Sequence, residues 1–220
     1  TTERNAAVKK ALESYSSKIS VVEMDVKDDN SVKDAFCDIF KEIDEVDVLI
    51  NNAGIMYTGI TEGFSIEQAH EQMNTNYYGA IRTTQAVLPN MRKARNGLII
   101  KVSSIAGRIA VPYFGTYCAT KFALEAYSQS LRYELAPCGI DISLVEPGPF
   151  STGLFGAIKQ PERAEVVNSY GELKNIPDAL FQGFGEMLST GVFPDPKLVV
   201  DAYLSLAEAE PGSRPMRTQV

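Results

Sequence analysis

Leu98-Ile99-Ile100-Lys101-Val102 runs straight into Ser103-Ser104. An amphipathic segment from Tyr113 to about Ala136 follows, and then Ile140-Asp141-Ile142-Ser143-Leu144-Val145. A short apolar run, a helix-length segment and a second apolar run read as strand, helix, strand. Parallel strands need a crossover of this kind, and right-handed crossovers cover a sheet with helices on both faces.

The alternation continues outward in both directions. Residues 3–17 read as a helix, Ile19–Met24 as a strand and Val46–Ile50 as another. Between these two strands, Ser31–Ile43 carries Val32, Ala35, Phe36 and Ile39 at helical spacing. Ser65 to about Arg95 reads as a long helical stretch interrupted near Pro89. The expected fold is α/β, a doubly wound parallel sheet forming one domain over residues 1–220. Residues 149–195 are rich in Gly and Pro and read as a lid at the sheet's carboxyl edge. Arg217-Thr218-Gln219-Val220 reads as the start of a last strand.

Composition narrows the function. The 220 residues are 45% apolar and 22% charged, ordinary for a globular domain. A net charge of −7 argues against nucleic acid as the main partner, and no apolar run is long enough to span a membrane. Cys37, Cys118 and Cys138 lack metal-ligand spacing and fit free thiols in a reducing, cytoplasmic setting. No metal site is expected. The sole histidine, His70, lies among polar residues and reads as surface.

Ligands of open parallel sheets bind beyond the carboxyl ends of the strands. Four unusual segments fall there: Asp25, Asn51-Asn52-Ala53-Gly54, Ser103-Ser104 and Glu146-Pro147-Gly148-Pro149. Thirteen residues after Ser104 comes Tyr117-Cys118-Ala119-Thr120-Lys121. Residues four apart share one helix face. Bringing a phenol from its ordinary pKa of about 10 to near 7 takes roughly 4 kcal/mol. One ammonium at ~4 Å supplies about that much at an effective dielectric of ~20. Lys121 is therefore expected to acidify Tyr117. Tyr170 and Lys174 repeat the spacing without an upstream serine or strand and read as accidental.

These pieces, with Thr75-Asn76-Tyr77-Tyr78-Gly79 and Thr152, resemble the short-chain dehydrogenase/reductase family in order and spacing from about residue 20 to residue 152. Val102 to Ser151 most resembles its steroid- and retinol-type members. The resemblance implies a Rossmann-like fold and NADP- or NAD-dependent interconversion of an alcohol and a carbonyl compound, NADP ahead of NAD. It implies that Tyr117 exchanges the proton, Lys121 lowers its pKa and binds the nicotinamide ribose, Ser104 binds the substrate oxygen, and Asn76 kinks its helix and holds a water. It places Asp25 and Val26 at the adenine, and Asn51, Ala53 and Gly54 beside the adenine ribose. Pro147, Gly148 and Thr152 would border the nicotinamide. It also implies a homodimer or homotetramer formed through the helices from Ser65 and Tyr113.

The family's Gly-rich phosphate turn is absent from the front of this chain. The family order expects about two strands and a helix ahead of it, inserted between Ile19–Met24 and Val46–Ile50. The 220-residue chain alone is accordingly expected to fold poorly and to bind dinucleotide weakly. Lid residues Leu154, Phe155, Ile158, Phe181, Phe184, Met187, Leu188, Val192 and Phe193 suit a lipophilic alcohol or ketone, or ordinary packing. Met56, Tyr57, Val111, Tyr113 and Phe114, near the strand ends, allow the same two readings. Two alternatives are a sugar-nucleotide epimerase and a non-catalytic dinucleotide-sensing or scaffold protein. The Asn-Asn-Ala-Gly segment opposes the first, and retention of both Tyr117 and Lys121 opposes the second.

Overall fold

The computed structural model describes residues 19–191 and 193–220; the expected helix over 3–17 lies outside them. Strands β1 (Val48–Asn51), β2 (Gly97–Val102), β3 (Ile140–Glu146) and β4 (Arg217–Gln219) form one sheet in that order, all parallel. Ile99 lies opposite Leu49 on one side and Ile142 on the other. The central strands are apolar throughout because both faces are covered. On one face Ile99, Ile140 and Ile142 pack with Val87, Met91, Leu131 and Leu135. On the other, Leu98, Ile100 and Val145 pack with Leu206.

The helices are α1 (Asp29–Glu42), α2 (Ile66–Met73), α3 (Gly79–Ala94), α4 (Gly115–Leu135), α5 (Ala164–Ser169), α6 (Ile176–Ser189) and α7 (Lys197–Glu208). Their starts follow from local chemistry. The Asp28 side chain accepts from the Ser31 N–H to open α1, and Ser65 and Gln68 form a reciprocal cap on α2. Gly139 turns the chain from α4 into β3 at φ +74°, where a Cβ would lie 2.2 Å from the Arg95 carbonyl oxygen. Asp141 at the start of β3 is ion-paired to Arg214 at 2.9 Å, with both side chains nearly buried. Asp141 also accepts from the Gly212 N–H at 2.7 Å.

Two expectations need correction. Ile19–Met24 forms no strand, and Ile19, Val21, Val22 and Met24 are 37–50% exposed. A parallel strand is held by its neighbours' ladders, and none of the described residues pairs with this one. The interruption in the long helical stretch lies at Asn74–Tyr78, a π-helical turn between α2 and α3, not at Pro89. Pro89 sits inside α3 without ending it. Proline there costs one backbone hydrogen bond, and Val87, Leu88 and Met91, buried around it, hold the helix in place.

Candidate active site

β2 ends at Val102, and the chain turns over Ser103-Ser104 into a short 3₁₀ segment, Ile105–Gly107. The turn forms because the Ser104 hydroxyl accepts from the Ala106 N–H at 3.2 Å. Gly107 lets it lie close on α4: a Cβ there would come within 2.7 Å of Ser103 Oγ. The first turns of α4 present Tyr117 and Lys121 toward this loop, 7% and 5% exposed. The Ser104 hydroxyl lies near enough to the Tyr117 phenol to lower its pKa. Lys121 Nζ donates to the Val102 carbonyl at 2.8 Å and lies 5.6 Å from the Tyr117 ring centre.

Asn76 joins the same cluster from the π turn. Its Nδ2 donates to the Ile55 carbonyl at 2.9 Å and to Thr120 Oγ1 at 3.0 Å, and its Oδ1 accepts from the Ile55 N–H at 2.8 Å. The widened turn aims a side chain that is 2% exposed back at the loop after β1. Asn76 thus lies in the π turn that interrupts the helical stretch. Thr120, missed in the sequence, bridges Asn76 to the Tyr117 carbonyl. Its only signal was its place beside Lys121.

The electrostatics run against the expected acidification. Burial pushes the Tyr117 phenol up to about 12, against the lowering effect of Ser104. Burial pushes the Lys121 ammonium down to about 8, against the charge of Glu125. The fourfold spacing does put both groups on one face. The ammonium, however, is engaged at a backbone carbonyl and not at the phenol, while dehydration disfavours both charged forms.

The remaining expected residues divide. Exposed backbone at Asn52, Ala53 and Gly54 borders the cluster through Gly54, where a Cβ would sit 3.4 Å from Asn76 Oδ1. The Asn51 side chain instead faces α3, accepting from Thr83 at 2.5 Å and donating to Thr84 at 3.3 Å. Pro147 offers its carbonyl to the Ile105 N–H and the Ser104 hydroxyl, and Gly148 donates to the Val220 carbonyl. The Asp25 carboxylate accepts from the Lys27 N–H, forming the turn that leads into α1. Val26 packs on Gly79. The Thr152 hydroxyl accepts from the Leu154 N–H. Tyr170 binds Glu62 while Lys174 binds Asn168, so the second Tyr-x-x-x-Lys forms no site.

An aromatic file leads away from the phenol. Phe114 lies 6.4 Å from Tyr117 and 5.5 Å from Phe181, and Phe181 lies 6.2 Å from Phe184. Phe184 meets Phe155 and Phe193, each at 6.2 Å. Met187 is exposed; the Leu188 side chain and Val192 lie outside the described residues. The base of this segment is tied down by Lys159, which pairs with Glu71 at 3.0 Å and bridges to Tyr57. Two open clefts, about 640 Å³ beside Asp25 and His70 and about 740 Å³ between α1 and α3, lie apart from the cluster.

A nicotinamide nucleotide can be tested against these residues. The buried Lys121 ammonium has three N–H groups, and Val102 takes one, which leaves donors for a ribose diol. The cluster fits the nicotinamide end, and no Gly-rich turn among the described residues meets the pyrophosphate.

The family model "short chain dehydrogenase" matches residues 1–163. A 3-ketodihydrosphingosine reductase of Bacteroides thetaiotaomicron is 46% identical over 136 residues, 62% of this chain and 51% of that protein. Human retinol dehydrogenase 8 is 36% identical over 189 residues, 86% of this chain and 60% of that protein. The chain spans about half the length of the first curated relatives it matches. A short-chain dehydrogenase from Streptomyces avermitilis superposes with a TM-score of 0.81 at 29% identity, over 98% of this chain and 76% of its own. ElxO with NADP bound superposes at 0.65 with 29% identity, over 78% of this chain and 66% of its own.

Proposed function

This chain belongs to the short-chain dehydrogenase family, and we propose that it supplies the proton-transfer site of an NADP- or NAD-dependent enzyme interconverting a lipophilic alcohol and its carbonyl compound. The observation that carries the reading is the meeting of buried Tyr117 and Lys121 with half-buried Ser104 at the carboxyl edge of a parallel sheet.

When bound, the nicotinamide would supply or accept the hydride. Ser104 and Tyr117 hold the substrate oxygen between two hydroxyls. Tyr117, kept protonated at neutral pH by burial, gives its proton to that oxygen as negative charge develops there. Lys121 steadies the phenolate left behind and offers its free N–H groups to the nicotinamide ribose. In the oxidising direction it is the Tyr117 phenolate, steadied by Lys121, that takes the proton from the substrate hydroxyl and returns to the phenol. Asn76 fixes the loop after β1 through Ile55, and Thr120 fixes Asn76 to α4. Pro147, Gly148 and Thr152 border the nicotinamide in this reading; Asp25, Val26, Asn51, Ala53 and Gly54 line the adenosine side.

A lipophilic substrate is supported by the aromatic file from Tyr117 to Phe193, with residues 149–195 as the lid, and by the substrates in the names of the two relatives. Three unpaired thiols support a cytoplasmic setting. Exposed Phe122 and Tyr133 on α4 support a homodimer or homotetramer.

The test follows cofactor absorbance with the full-length protein and a panel of ketones and aldehydes. Tyr117→Phe should lower kcat by at least about 10²-fold while cofactor affinity stays within a few-fold. Normal turnover by that variant would remove Tyr117 from the chemistry.

A further inference from the structure

One helical turn beyond Lys121 stands Glu125, 5% exposed. Its Oε2 accepts from Arg217 Nε of β4 at 3.0 Å. The same nitrogen lies 3.2 Å from Glu146 Oε1 at the end of β3. Glu146 is 3% exposed, and its other oxygen accepts from Gln219 at 3.4 Å. Glu125 Oε1 and Ser103 Oγ are buried with no hydrogen-bond partner among the described residues. Ser103, Glu125 and Lys121 pack around Gly107. A Cβ on Gly107 would lie 2.7 Å from Ser103 Oγ, 3.1 Å from Glu125 Cγ and 3.3 Å from Lys121 Cβ.

Two buried carboxylates around one guanidinium carry more negative charge than it balances. Burial, and next the charge of Glu125, push the Glu146 carboxyl up from its ordinary value. Other groups facing Lys121 and the pair are Tyr117 on the same helix and Arg108 after β2, whose charge acts on Glu146. Among these, Glu125 supplies the anion that favours an ammonium at Lys121.

We propose that Glu125, clasped by Arg217 and Glu146, is the positioning residue for Lys121 and ties the last strand of the sheet to the proton-transfer site. This rests on the reading of Lys121 given above. The cluster lies behind the lysine, so it acts through the ammonium and does not touch the reacting atoms. β4 then serves the site directly: the guanidinium it carries sets how much negative charge the lysine feels.

The test is the pH profile of kcat/KM in the full-length protein. Glu125→Gln should move the alkaline limb to lower pH by about one unit, with the rate recovered on the acid side. Glu125→Asp should restore much of the limb. Arg217→Gln strips the cation from the carboxylates and should move the limb the opposite way. A merely structural role would lower the rate evenly at all pH values, and that result, with the limb unmoved, overturns the proposal. If Glu125→Gln does not fold, the opposite displacement in Arg217→Gln carries the test alone. Lys121→Met separates the two layers. Loss of its turnover with an unmoved limb in Glu125→Gln rejects only the cluster, whereas retained turnover rejects the lysine's role and the proposal with it.

Discussion

Lys101, the last residue but one of β2, is fully buried, and no carboxylate pairs with it among the described residues. Its Nζ donates to Thr84 Oγ1 at 2.9 Å and lies 4.3 Å over the Tyr127 ring. Burial lowers it from 10.5 to about 7. Between those values the unfolded chain holds a proton that the folded chain lacks. Stability therefore rises with pH across the window, falls as pH drops from 10.5 toward 7, and is flat below. At about 1.4 kcal/mol per pH unit, the whole window is worth roughly 5 kcal/mol. Lys101→Met keeps most of the side-chain volume and removes the titration. With the amine neutral across the window, it gives up one neutral hydrogen-bond partner, about 1 kcal/mol. Urea unfolding of the full-length protein at about pH 7.5, 8.5 and 9.5 should show wild-type stability climbing about 1.4 kcal/mol per unit more steeply than the variant's. Equal slopes would show that Lys101 holds its proton in the folded state, and the assignment of that pH dependence to its burial would fail.

Asn76→Ala removes three hydrogen bonds linking the π turn to Ile55 and Thr120. It should cost about 2–3 kcal/mol in the unfolding free energy and lower kcat more than it raises KM, as read by denaturant melts and steady-state kinetics. Arg214→Met leaves the Asp141 carboxylate buried with only the Gly212 N–H. Thermal melts should show a loss of about 3–5 kcal/mol near neutral pH, and an unchanged melt would refute the pairing's role.

Strand order and helix order were legible because they rest on local patterning. Leu98–Val102 and Ile140–Val145 are apolar enough to be buried on both faces, and Ser31–Ile43 repeats at helical spacing. The Ser104, Tyr117 and Lys121 cluster was legible for the same reason: two members share a helix face, and the third ends the preceding strand. The failures are non-local. Ile19–Met24 has the composition of a strand, but a strand exists only through its ladder partners. The break at Asn74–Tyr78 arises from the contacts Asn76 makes across the fold, whereas Pro89 advertised a break that its neighbours' packing prevented.

What the amino-acid order determined by itself is which segments bury an apolar face and which chemical groups end the strands. It left the charge states undecided. Whether Tyr117 is acidic, whether Lys101 and Lys121 hold their protons, and whether Glu125 stands behind Lys121 with Arg217 of β4 depend on dehydration and on partners many residues away. Those quantities are set by the packed environment, because the cost of a charge depends on what surrounds it in space and not on its neighbours along the chain.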